Sequence, residues 1–244
     1  MLKEFSTMRS IRIRSCSFAL AVGVASVSGV ASADFLTEAA FPLNTGRIWH
    51  NLRDSTTPED EEVLPGPLQL INGVATTVVD IRSMGSPIGT ENVTNDAFGF
   101  QVHRVTDQTV TSTFSPPIQF LSTSFDVGTV VTSSGNATYA GFGTFPYSTT
   151  TTVTGIETTT VPYGTFDAVV IDQLITIAST SATARFYLVP HIGPVRVVSD
   201  VFNQLGEFTS SELTALTVPE PGALQGLLPA VAFLGCLSRR QRRE

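Results

Sequence analysis

Cysteine is nearly absent from this chain of 244 residues: only Cys16 and Cys236 occur, one near each end. That excludes a disulfide scaffold and a cysteine-ligated zinc module. Lysine is scarcer still, with Lys3 alone. Between residues 34 and 217 the basic side chains are Arg47, Arg53, Arg82, Arg104, Arg185 and Arg196, against 18 Asp and Glu, a balance of −12. A surface of that sign repels phosphate and anionic lipid, so nucleic acid is excluded as a partner. His50, His103 and His191 lack metal-ligand spacing, and no metal is expected. His103 is expected on a solvated strand face, and His191 in a turn with a structural hydrogen bond. There is no G-x-S-x-G elbow and no glycine-rich loop between a strand and a helix. Carboxylates are plentiful, but in an acidic domain close pairs arise without catalysis. No catalytic residue and no cofactor are assigned, and the chain is read as not an enzyme.

A 3.6-residue apolar period is also missing from the interior, and what is there reads as β. Thr, Val, Ile and Phe dominate, and Gly, Pro, Asn and Asp interrupt them at short intervals. Phe98, Phe100 and Val102 alternate with Gly99, Gln101 and His103, the period of a half-buried strand. Further strands are expected over residues 74–83, 109–114, 118–124, 128–132, 150–157, 166–177, 184–189, 195–202 and 212–217. Short connections favour antiparallel hairpins. Residues 34–41 could form a short helix that Pro42 stops. Residues 56–66, with Pro58-Glu59-Asp60-Glu61-Glu62, are expected to form an exposed, solvated loop. The Thr-rich stretch 147–160 suits a strand with hydroxyls on a solvated face. Trp49, the single tryptophan, is expected in the core with its N–H bonded.

The segment 166–177 is apolar on both faces. Phe166, Ala168, Val170 and Leu174 point one way, and Val169, Ile171, Ile175 and Ile177 the other. Such a strand is covered on both sides. No long amphipathic helix is available as the cover, so the sheet must curl, pair with a second sheet or hold an apolar ligand. Phe166, Val169, Ile171 and Ile175 are the candidate lining of such a ligand site. The expected fold is all-β: one antiparallel, strongly curved sheet, half-barrel or sandwich-like.

The two ends read as sorting signals. Lys3, Arg9, Arg12 and Arg14 precede an apolar run over residues 18–30, and Ala31-Ser32-Ala33 supplies an A-x-A cleavage site. This predicts a signal peptide over residues 1–33, handled by the Sec translocon and signal peptidase, and a mature chain starting at Asp34. At the other end Val218, Pro219, Glu220 and Pro221 precede an apolar run over residues 223–237 and the cluster Arg239, Arg240, Arg242 and Arg243. The run is short for a bilayer span and contains Gln225 and Pro229, which suits transient retention. The arginines fix the cytoplasmic side and leave the domain outside. The chain thus divides into 1–33, a secreted β domain over 34–217, and a sorting signal over 218–244 (motif 218–221, apolar helix 223–237, basic tail 239–243).

This tripartite tail resembles the PEP-CTERM sorting signal of Gram-negative bacteria that make extracellular polysaccharide. The resemblance implies an exosortase as partner, with Pro219, Glu220 and Pro221 as its recognition elements. It also implies a passage through the inner membrane to the cell surface or extracellular matrix, where polysaccharide is the candidate contact. A second resemblance rests on three islands: Phe41-Pro42-Leu43-Asn44-Thr45-Gly46 with Ile48-Trp49, Val161-Pro162-Tyr163-Gly164-Thr165-Phe166, and Tyr187-Leu188-Val189-Pro190-His191-Ile192-Gly193-Pro194-Val195. They are similar to exported bacterial β proteins distantly related to periplasmic lipoprotein carriers. That resemblance implies an open half-barrel whose concave side holds lipid, the alternative to a surface or matrix role.

Overall fold

A computed structural model describes residues 35–36, 42–199 and 210–219 of this chain. The strands are β1 (Phe35–Leu36), β2 (Ile48–Arg53), β3 (Thr57–Val63), β4 (Gln69–Ile71), β5 (Val74–Ser83), β6 (Ser86–Asp96), β7 (Gly99–Asp107) and β8 (Thr111–Leu121). They continue with β9 (Ser124–Phe125), β10 (Val130–Tyr139), β11 (Gly143–Val161), β12 (Gly164–Ile177), β13 (Thr180–Val189), β14 (Gly193–Ser199) and β15 (Ser210–Thr217). The described residues are all-β in one main antiparallel sheet, ordered β3-β2-β15-β14-β13-β12-β11-β10-β8-β7-β6-β5-β4.

The sheet is not an open half-barrel. β3 pairs with β2 on one side and with β5 on the other, Glu59 to Val63 running opposite Ser83 to Val79. That pairing closes a 12-strand barrel. Closure removes both unpaired edges, which an open sheet would have to protect. β4 continues in the lane of β3, folding back on β5 through Asn72-Gly73. Both turn residues have positive φ (51° and 83°), the backbone of a two-residue type I′ hairpin.

The closing strand β3 lies where the sequence suggested an exposed loop. Its charge run alternates: Glu59, Glu61 and Val63 are buried, while Pro58 is exposed and Asp60 and Glu62 are half-buried. Two other expectations change. Phe35–Leu36 form the strand β1, paired with β9, and not part of a helix. The expected breaks at 115–117 and after 132 are absent. β8 runs through Pro116-Pro117, and the proline pair sits where the β7–β8 register shifts between Val102 and Arg104. Proline cannot donate to the ladder and is tolerated at such an irregularity. β10 keeps its pairing through the polar stretch Ser133-Ser134-Gly135-Asn136. The signal peptide, the apolar run 223–237 and the arginine tail lie outside the described residues.

The interior is packed in two clusters. The larger gathers Phe100, Val102, Phe114, Phe120, Leu121, Tyr147, Val153, Val169, Ile171, Phe186 and Val197 from β7, β8 and β11 to β14. Phe120 meets Phe186 edge to face with ring centroids 5.0 Å apart, a favoured aromatic geometry. The smaller cluster holds Trp49, Val63, Val161, Ile192, Val195 and Leu213. Trp49 is fully buried and its Nε1–H donates to the Ile192 carbonyl at 3.0 Å, as expected from the sequence. The tip of the β11–β12 hairpin reaches across to β15, where the Tyr163 N–H donates to the Leu213 carbonyl at 3.1 Å. Ala168, Val169, Val170 and Ile171 are buried in succession, so both faces of β12 are covered there. Gly99 (φ 96°) is required where β7 leaves its turn, because a Cβ would lie 2.1 Å from the Leu121 carbonyl oxygen.

Candidate functional site

Alternation along β11–β14 sends one set of side chains inward and the other outward. Tyr147, Thr149, Thr151 and Val153 go in, with Ile171, Ile175 and Ile177 from β12 and Ala182 and Phe186 from β13, all linked by the register. Thr150, Thr152, Asp172, Leu174, Thr183, Arg185, Tyr187, Arg196 and Val198 therefore face outward. These residues line a groove of about 680 Å³ on the barrel's outer face. Bulges at Val153/Gly155 and at Tyr187/Leu188 interrupt these strands beside it, and bulged strands bend and twist more strongly.

The groove combines polar side chains with the apolar Leu174 and Val198, and its charges are internally matched. Asp172 and Arg185 are direct cross-strand partners. Arg185 Nε donates to Asp172 Oδ1 at 2.6 Å and Nη2 to Oδ2 at 2.8 Å, a bidentate pair. The Asp172 carboxylate raises the Arg185 pKa above its ordinary value. Arg196 sits over the Tyr187 ring at 5.6 Å from its centroid, with its Nε 3.5 Å from Glu212 Oε1. The tyrosine ring is half-buried and also packs against the smaller core cluster. Thr150, Thr152 and Thr183 add hydroxyls, each able to donate and accept.

A second polar constellation lies inside the barrel. Glu59, Glu61 and Glu91 are each 1% exposed. Arg53 from β2 bonds Glu59, and Asn51 Nδ2 donates to Glu61 Oε1 at 3.3 Å. Glu59 Oε1 and Glu61 Oε2 have no hydrogen-bond partner. Burial, then repulsion from Glu59 and Glu91, raise the Glu61 pKa well above the carboxylate range. The sequence reading placed Glu59 and Glu61 in water. Nothing local in the run Glu59-Asp60-Glu61-Glu62 marks the inward pair, because their partners come from other strands. Among the described residues, no group of three or more His, Cys, Asp or Glu is placed to hold a metal ion.

The histidines stay apart. His50 bonds Asp60 Oδ1 at 2.8 Å and Thr217 Oγ1 at 3.1 Å. His103 is buried, contrary to the solvated face expected of it; its Nε2 lies 3.0 Å from Thr94 Oγ1 and burial lowers its pKa. The register shift at Val102/Arg104 removes His103 from simple alternation, which is why the period misplaced it. His191 occupies the β13–β14 turn with φ 64°. Desolvation and the nearby Arg47 charge lower its pKa to about 4.

Of the four residues expected to line an apolar site, the structure brings three to one cluster and places the fourth at the other. Val169 and Ile171 are members of the larger core, Ile175 packs against it, and Phe166 packs against the smaller cluster. Of the tail motif, Val218 and Pro219 are described and follow β15 directly, with Pro219 beside Gly46. Glu220, Pro221, Arg239, Arg240, Arg242 and Arg243 lie outside the described residues, as do Ala31, Ala33 and Asp34.

No family model matches the chain, and no curated protein matches it. Two solved structures align with it. One is a candidate lipoprotein from Parabacteroides distasonis, at 12% identity and TM-score 0.40, covering 77% of this chain and 100% of the other. The other is a candidate exported protein with YmcC-like fold from Bacteroides fragilis, at 12% identity and TM-score 0.39, covering 76% of this chain and 100% of the other.

Proposed function

We propose that this protein is an exported, non-enzymatic barrel of the cell surface or extracellular polysaccharide matrix, and that the outer groove on β11–β14 holds glycan. The observation that carries the reading is the charge-matched, hydroxyl-lined groove around Tyr187. Its volume falls in the range of ligand sites, roughly 300–1,000 Å³. Both guanidinium groups already have carboxylate neighbours, Asp172 and Glu212, so the groove suits a neutral ligand rich in hydroxyls. Carboxylate and guanidinium edges can bond adjacent hydroxyls, and an aromatic ring gives a sugar's apolar face a flat surface.

Export rests on the sequence: the leader ending at Ala31-Ser32-Ala33 and the tail from Val218. On this reading the Sec translocon and signal peptidase release the N-terminus. The chain pauses in the inner membrane by residues 223–237, and an exosortase acts at Pro219-Glu220-Pro221. Fractionation of cells making the whole chain or a chain ending at Thr217 tests the sorting. The whole chain is expected at the surface and the shortened one released to the periplasm or medium. Identical surface delivery of both would refute the role of the tail. The alternative of an apolar-ligand carrier would, with the barrel closed through β3 and β5, need a cavity inside the barrel in place of an open concave face.

A further inference from the structure

In a closed antiparallel barrel, successive turns fall at opposite rims. One rim carries the segment before β2, the β4–β5 hairpin and the turns around residues 97–98, 122–129, 162–163 and 190–192. The other carries the turns at 54–56, 84–85, 108–110, 140–142 and 178–179. Both described chain ends lie at the first rim. There β1 pairs with Ser124–Phe125 of β9, and Pro219 lies against Gly46.

Each of these ends is a short tether from an apolar run. The run over 18–30 ends five residues before Phe35, and the run over 223–237 begins four residues after Pro219. An extended chain covers at most about 3.3–3.6 Å per residue. The first tether therefore reaches roughly 18 Å and the second roughly 14 Å at most. The polar zone of a bilayer is only about 5–8 Å deep on each side. When either run is in a membrane, the first rim is held at or near the headgroups.

That rim also has the exposed apolar side chains such a position calls for. Leu68, Leu70, Phe98, Val127, Val130 and Val218 are all solvent-exposed there. Among the described residues the opposite rim exposes Met84 and Phe142. The Phe98 N–H donates to Asp96 Oδ1 at 2.8 Å, which fixes the turn that presents the ring. Asp96 and Asp126 stand at the same rim, and Arg47, its arginine, is buried. The rim therefore fits a zwitterionic lipid surface better than an anionic one.

We propose that this rim is a lipid-contact face that seats the barrel, end-on, on the bilayer while the chain is membrane-held. The inference rests on the reading of residues 223–237 as a membrane segment. It adds which face of the barrel meets lipid and leaves the β11–β14 groove on the barrel wall, open to the side.

The test uses the whole chain with Cys16 and Cys236 replaced by serine and one new cysteine in each variant: L70C or F98C at the first rim, M84C or F142C at the other. Each carries an environment-sensitive fluorophore and is mixed with phosphatidylcholine vesicles containing a headgroup-labelled quencher lipid. Trp49 emission checks folding. The expected result is flotation with the vesicles and quenching several-fold stronger at positions 70 and 98 than at 84 and 142. Flotation with equal quenching at both rims overturns the seating while leaving the anchor intact. Failure to float overturns the membrane reading of the tail and the seating with it.

Discussion

Replacing Glu61 by glutamine should stabilise the barrel at neutral pH, by an amount that grows with pH. The Glu61 side chain is fully enclosed, one of its oxygens has no partner, and Glu59 and Glu91 repel its charge. Its folded pKa is therefore raised above the ordinary 4.5. In the window between these two values, the folded state keeps a proton that the unfolded state has lost. Stability then falls as pH rises, by about 1.4 kcal/mol per pH unit for one proton. Above the folded pKa the loss stops growing. Glutamine keeps the acceptor for Asn51 and has nothing to titrate. The stability difference between Glu61→Gln and the parent should thus be small near pH 4 and rise with that slope from about pH 5 upward. Urea titrations at fixed pH, followed by emission of Trp49, measure it directly. The contributions of His103 and His191 are common to both proteins and cancel. A difference that stays constant from pH 4 to 8 would refute the assignment of Glu61 as a buried, proton-holding carboxyl.

Other consequences follow from the same structure. Arg53→Met strands Glu59 in the interior and should cost about 3–5 kcal/mol; adding Glu59→Leu should recover most of it, as thermal unfolding of the single and double variants would show. Ile171→Ala, in the larger core, should cost about 2–5 kcal/mol in urea titrations, whereas Leu174→Ala, exposed three residues on, should stay within about 0.5 kcal/mol. His103 and His191 have lowered folded pKa values, His191 to about 4. Their unfolded forms bind protons first, so stability should fall as pH drops from about 6.5 toward 4. The Glu61→Gln background removes the opposing slope, and His103→Gln on that background should flatten the profile.

How far the sequence foretells this fold depends on whether the needed information is local. Trp49 could be placed because a lone large aromatic with an N–H has few stable options, and its bond to Ile192 fulfils one of them. The covered middle of β12 was legible because Ala168 to Ile171 leave no polar face. Closure was not legible, since it depends on β3. A run of four acidic residues looks solvated until Arg53 and Asn51 are brought alongside by the β2–β3 register. The part of β10 after Thr132 hid for a related reason: its serines and asparagine take the places that hydrophobic residues hold in other strands. The groove was the least visible. Asp172, Arg185, Tyr187 and Arg196 become neighbours only through the pairing of β12, β13 and β14, and no spacing along the chain announces that. The proposed leader and tail signals are the reverse case, because a sorting signal is a linear pattern that needs no pairing between strands.

The most direct test of the account is calorimetric titration of the purified protein with neutral and acidic extracellular polysaccharides, beside Tyr187→Ala. The groove reading predicts saturable binding of a neutral glycan. It also predicts at least about tenfold weaker binding, some 1.4 kcal/mol, when the aromatic anchor is removed from a barrel that remains folded. Absence of binding to every neutral glycan, or equal affinity in the variant, would contradict it.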